Sequence, residues 1–113
     1  MLTTRSAVLA LLLAGCSPVS DVVRLDPTPR AQRLPADVQV LASDPRQPYR
    51  EIALVEVSGG VLPSLSTLTR ALREEAARLG GDAVVIMGRS EGRSKGPGLL
   101  ARVIVFEPSP GPR

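Results

Sequence analysis

Three stretches of this chain, "EIALVEV" (51–57), "DAVVIM" (82–87) and "LLARVIVF" (99–106), are apolar at consecutive positions rather than at every second one. A strand with one wet face alternates apolar and polar residues, so runs like these belong to a sheet that is covered on both sides. Ile52 and Leu54 face away from Ala53, Val55 and Val57. Val84 and Ile86 oppose Val85 and Met87, and Val103 and Val105 oppose Ile104 and Phe106. Only one segment of the chain has helical periodicity, and one helix covers one face. Leaving about five aliphatic side chains in water forfeits on the order of 10 kcal/mol, at ~2 kcal/mol each. A small domain is held by only ~5–15 kcal/mol. A second copy, a partner, or the chain's own tether and loops must therefore cover the other face. A second copy or a partner is favoured, because the proline-rich segments carry few large apolar side chains.

The helix is expected from Leu65 to Leu79. Leu65, Leu68, Leu72, Ala76 and Leu79 recur at spacings of three and four and form one apolar stripe. Ser64 or Ser66 can cap its start. Arg70, Glu74 and Arg78 step by four along the outer face, an arrangement worth a few tenths of a kcal/mol per pair. Gly80 suits the left-handed residue that closes a helix, and Gly81 lets the chain turn directly into a strand.

Around this helix the strands are expected at 37–43, 50–57, 82–88 and 99–107. The fold class is therefore α+β: a four-stranded sheet with one covering helix, in the order ββαββ, over residues 36–107. Residues 16–35 contain Pro18, Pro27, Pro29 and Pro35 and have the composition of an extended tether. At ~3.1 Å per residue such a tether would reach roughly 60 Å. Residues 108–113 form a short proline-rich tail. With 113 residues there is room for one domain, and its core must be aliphatic, since the chain has no tryptophan, one tyrosine and one phenylalanine. Cys16 is the single cysteine, which rules out an internal disulfide. The net charge of +3, without aromatic platforms for stacking bases, gives no case for nucleic acid as a partner.

The first fifteen residues have the layout of an export signal. Arg5 supplies the positive start, and "AVLALLLA" (7–14) is an apolar run too short to span a bilayer, which takes roughly 20 residues. "LAGC" follows. Leu13, Ala14 and Gly15 ahead of Cys16 resemble, position for position, the lipobox of bacterial lipoprotein precursors. The resemblance implies cleavage between Gly15 and Cys16, a diacylglyceryl group on the Cys16 sulphur, and acylation of the new amino terminus. The lipid chains on Cys16 would make the membrane a partner of the protein, because each buried methylene adds about 0.8 kcal/mol and two chains suffice for stable anchoring. Ser17, where aspartate would retain a lipoprotein in the inner membrane, favours the outer membrane, with the domain facing the periplasm.

The stretch "ALREEAARLGGDAVVIM" (71–87) resembles a pattern in YbjQ-type "heavy-metal-binding" domains and in the periplasmic domain of the Rcs-type outer-membrane stress-sensor lipoproteins. There an alanine-rich helix ends in Leu-Gly, passes through Asp or Asn, and enters an Ala-Val strand. Leu79, Gly80, Asp82, Ala83 and Val84 match this pattern, while Gly81 stands where alanine is commoner. The resemblance covers about residues 38–106 and implies a fold rather than a function. YbjQ-type relatives assemble into rings, so a homo-oligomer is implied as well. The metal role does not carry over, because the chain has no histidine and Cys16 is committed to lipid.

No catalytic constellation is visible. Without histidine the usual general base is missing and the common serine triad cannot form. Ser94 and Lys95 adjoin each other in a glycine-rich loop that lacks the order of a phosphate-binding P-loop. Glu74 and Glu75 are neighbours on a helix, so their side chains diverge. Tyr49 reads as a packing residue at the start of a strand. The expectation is a lipid-anchored envelope protein that is not an enzyme, needs no metal and no cofactor, and acts as a binding or sensing module. The alternative is a structural, ring-forming homo-oligomer.

Overall fold

A computed structural model describes residues 18–59, 64–91 and 97–108. Five strands, β1 (Val19–Arg24), β2 (Gln39–Leu41), β3 (Tyr49–Ser58), β4 (Ala83–Glu91) and β5 (Pro97–Phe106), form one sheet in the spatial order β1-β3-β5-β4-β2. Helix α1 (Leu65–Arg78) links β3 to β4. All neighbours are antiparallel except β2 and β4, which run parallel.

The four-stranded ββαββ expectation is therefore corrected to a five-stranded mixed sheet with one helix. The missed strand is β1, which pairs with β3 from Val19↔Ser58 to Arg24↔Ala53. It lies in the segment expected to be tether. The prolines bracket it rather than interrupt it, since "VSDVVRLD" (19–26) between Pro18 and Pro27 contains none and is rich in β-branched valine. The next residues stay attached to the domain. Leu25 and Asp26 both donate their N–H groups to the Ile52 carbonyl, at 2.9 and 3.3 Å, and the Arg33 N–H donates to Ala77 at 2.9 Å. A 3₁₀ turn at Pro35–Asp37 then leads into β2.

Helix α1 starts where the sequence placed it. The Ser64 hydroxyl accepts the Thr67 N–H at 3.2 Å, the geometry of an N-cap. At the other end the Gly81 N–H reaches the Ala76 carbonyl at 2.8 Å and the Gly80 N–H reaches Ala77 at 3.1 Å. That pair of bonds is a Schellman closure, with Gly80 in the left-handed region at φ +79°. On the outer face Arg78 pairs with Glu75, three residues back, where the spacing had suggested Glu74. Leu68, Leu72, Ala76 and Ala77 are buried, whereas Leu65, the first residue of the expected stripe, is 60% exposed.

The helix covers the sheet face that carries Val22, Ala53, Val55, Val57, Val84, Leu99, Ala101, Val103 and Val105. Ile52 joins this core, although simple alternation put it on the opposite face with Leu54. A β-bulge between Glu51 and Ala53 resets the register there. The other face has a smaller cluster of Ala83, Val85 and Ile104, against which Leu41, Tyr49 and Phe106 pack. Part of the second face is thus covered by the chain itself. Tyr49 packs there, at the start of β3, as the sequence suggested.

Candidate functional site

Residues 79–84 form a structural joint. Leu79 is the helical C-cap and Gly80 makes the left-handed turn. Gly81 lies so close to Val103 Cγ1 that a side chain would not fit. Asp82 then ties three segments together. Its carboxylate accepts the Phe106 N–H at 2.8 Å and an Arg33 guanidinium N–H, its own N–H donates to Ile104 at 2.9 Å, and its carbonyl accepts the Gln39 N–H at 3.1 Å. Ala83 and Val84 follow, both fully buried. Leu79, Gly80, Asp82 and Ala83 are brought together, and the Asp82 carboxylate is spent on bonds within the fold.

The sheet face opposite α1 is the more open surface. Register places Val23, Leu54, Arg102, Val85 and Leu41 in one row across it, and Asp21, Glu56 and Leu100 in the next. Arg102 occupies the centre. One guanidinium nitrogen donates to Glu51 at 2.6 Å and another to Asp44, on the loop between β2 and β3. These two bonds, Glu51 first and Asp44 second, hold the Arg102 pKa above the ordinary arginine value. The Asp44 bond also draws the 42–48 loop onto this face. Elsewhere the cover stops: Val23 in the edge strand β1 is 58% exposed, and Met87, at a bulge in β4 two strands beyond β3, is 53% exposed. Leu54 and Leu100 between them are half-buried. The result is an apolar strip bordered by the acids Asp21 and Glu56. Such a strip can bind an apolar partner; it offers no activated nucleophile.

At the end of the sheet near Phe106, Asp26 gathers charge. Its carboxylate accepts the Thr28 N–H at 2.9 Å and faces Arg30 at 3.3 Å and Arg50 at 3.4 Å. The Thr28 hydroxyl and N–H, followed by the two guanidinium groups, hold its pKa well below the usual carboxylate range. Arg50 also meets Glu107 at 3.6 Å. The shallow cleft between Arg30, Arg50 and Phe106 is therefore charge-compensated. A second hollow, of about 90 Å³, lies between Leu65, Leu68, Arg89 and Leu99. It is far below the ~300 Å³ of a small-molecule site.

Among the described residues no three His, Cys, Asp or Glu side chains come together as a metal site. Nor is any helix there long and apolar enough to cross a membrane. Gly15 and Cys16, and the loop residues Arg93, Ser94 and Lys95, lie outside the described residues. The sequence reading missed Arg102. The available signal was a lone cation in the middle of "LLARVIVFE", because a charge on an apolar strand needs a counter-ion such as Glu51 on the neighbouring strand. Comparison with known family models, with curated proteins and with solved structures gives no match.

Proposed function

We propose that this chain is a bacterial envelope lipoprotein, held by acyl chains on Cys16 and facing the periplasm from the outer membrane. In this reading its domain, a relative of the YbjQ-type fold by its helix-to-strand joint, acts as a non-catalytic binding or sensing module. "LAGC" after a short apolar run supports the anchor. The observation that carries the binding role is the open strip of Val23, Leu54, Leu100 and Met87 beside the ion-paired Arg102. Apolar side chains aligned on a sheet face mark interaction surfaces.

A photo-cross-linker at Met87, compared in whole cells with one at the exposed helix residue Glu74, tests the binding role. A discrete adduct from Met87 and none from Glu74 is expected. Equal labelling from both positions removes the strip as a binding surface. The second reading, a structural homo-oligomer, is favoured by β1 standing at the sheet edge among the described residues. It requires the adduct to have twice the protein's own mass. Mass spectrometry of the mature amino terminus tests the anchor, since an unmodified Cys16 overturns it.

A further inference from the structure

The ordered sheet begins at Val19, so only Ser17 and Pro18 separate Cys16 from the first residue of β1. An extended chain covers at most ~3.6 Å per residue, which places Val19 within about 11 Å of Cys16. On the anchor reading, Cys16 sits among the lipid headgroups. The 60 Å tether expected from composition is absent, because most of it is spent on β1 and on the segment that follows. One end of the sheet must then stand at the bilayer surface.

Register identifies that end. Val19 pairs with Ser58, Ser58 with Gly98, and Gly98 with Ser90, so this row crosses four strands at the Val19 end. The start of α1 lies at the same end, since Leu65 shares a hollow with Arg89, Pro97 and Gly98. The side chains exposed there are suited to an interface of lipid and water. Leu65 is 60% exposed and Val19 45% exposed. Pro97 and the cation Arg89 are also exposed. A flat posture, with the open sheet face on the membrane, would instead press Asp21 and Glu56 against anionic headgroups.

We infer that the Val19–Leu65–Arg89–Pro97 end of the domain is a membrane-contact surface that meets phospholipid headgroups end-on. This inference rests on lipidation of Cys16. It has a consequence for the proposed binding role: the strands stand away from the bilayer, and the strip around Val23, Leu54 and Met87 stays open to the periplasm. The Asp26 cluster, Glu107 and Pro108 lie at the far end. Strand β3 alone has ten residues, which at ~3.3 Å per residue sets the two ends roughly 30 Å apart.

The test uses the full, lipidated chain in vesicles of phosphatidylethanolamine and phosphatidylglycerol that contain a headgroup-nitroxide lipid. Single cysteines at exposed positions, Ser66→Cys at the near end, Val23→Cys on the open face and Pro108→Cys at the far end, carry a fluorophore. Circular dichroism of each variant establishes that it is folded. With separations of this order, the Ser66 label should be quenched at least about twofold more than the Pro108 label, with Val23 in between. Equal quenching at Ser66 and Pro108 in protein that floats with the vesicles overturns the contact surface and leaves the anchor intact. Quenching at Val23 as strong as at Ser66 overturns the end-on posture. Protein that does not float, or whose Cys16 is unmodified, removes the anchor reading and this inference with it.

Discussion

Replacing Gly80 with alanine probes the joint that holds α1, β4 and the amino-terminal segment together. Gly80 has φ +79°, where an L side chain costs roughly 1–2 kcal/mol. A built Cβ would also lie 2.6 Å from Arg30 Cβ and 2.7 Å from the Ala31 carbonyl oxygen. Ordinary carbon contacts need ~3.5 Å or more, so residues 30 and 31 must retreat by nearly an ångström. Their retreat pulls on the Arg33 N–H bond to Ala77 and on the Arg33–Asp82 pair, worth about 1 kcal/mol in net hydrogen bonding. The sum is about 2–4 kcal/mol, a large part of the stability of a small domain. Gly88→Ala is the comparator. It has φ +154°, but nothing lies within 4 Å of its built Cβ, so backbone strain is its only cost. Urea unfolding of lipid-free chains beginning at Ser17, followed by circular dichroism, reads both variants. At ~1.5 kcal/mol per molar urea, Gly80→Ala should lower the midpoint by roughly 2 M, and Gly88→Ala by about half of that, the backbone strain alone. If the two midpoints fall equally, residues 30–31 do not press on the joint and the amino-terminal segment is not docked there.

Acid should destabilise the domain through Asp26. Its folded pKa lies below the ordinary aspartate value near 4, so the stabilisation is complete above about pH 4 and is lost as pH falls further, where the unfolded chain binds the proton first. Between pH 5 and pH 2.5 the urea midpoint of Asp26→Asn should therefore fall less than that of the unmodified chain; parallel decline removes Asp26 as a contributor. A chain starting at Ala36 loses β1 and the Arg33 contacts, and should be less stable than the chain starting at Ser17 by roughly 3 kcal/mol or more, at about 1 kcal/mol per lost hydrogen bond. Its uncovered β3 edge should also make light scattering concentration-dependent, and equal stability of the two chains would leave β1 dispensable.

Local rules account for what was legible in the sequence. The helix, its serine cap and its Leu-Gly closure depend on near neighbours, so spacing and turn chemistry located them within a residue or so. The apolar runs located β3, β4 and β5 for the same reason. What was not legible depends on distant partners. β1 mixes Ser20, Asp21 and Arg24 with its valines without alternation and is flanked by prolines, and only the waiting edge of β3 makes it a strand. The bulge at Ile52 puts that residue on the helix side, and its carbonyl serves Leu25 and Asp26, residues that composition had assigned to a tether. The joint at Gly80 and Asp82 was recognisable as a pattern. That Asp82 ties down Arg33 and Phe106 could not be read from it, since both partners lie more than twenty residues away in the chain.

Arg102 shows why the second face is neither fully closed nor fully apolar. A leucine there would complete a continuous greasy row with Leu54, Val85 and Leu41, on a sheet face that no helix covers. Arginine breaks the row and ties Glu51 and, on the 42–48 loop, Asp44 to the middle of this face. The pair partners are themselves partly in water, so the net electrostatic stabilisation is modest, ~1 kcal/mol or less. Arg102→Met keeps the stem's packing and removes the fork. Glu51 and Asp44 can then return to water, and the urea midpoint should shift by less than that caused by Gly80→Ala. Association should respond more strongly: with the row restored to apolar side chains and the loop released, Arg102→Met should dimerise or aggregate at concentrations where the unmodified chain scatters light as a monomer. A large loss of midpoint without any gain in association would make Arg102 a stability element and not the residue that limits how sticky this face is.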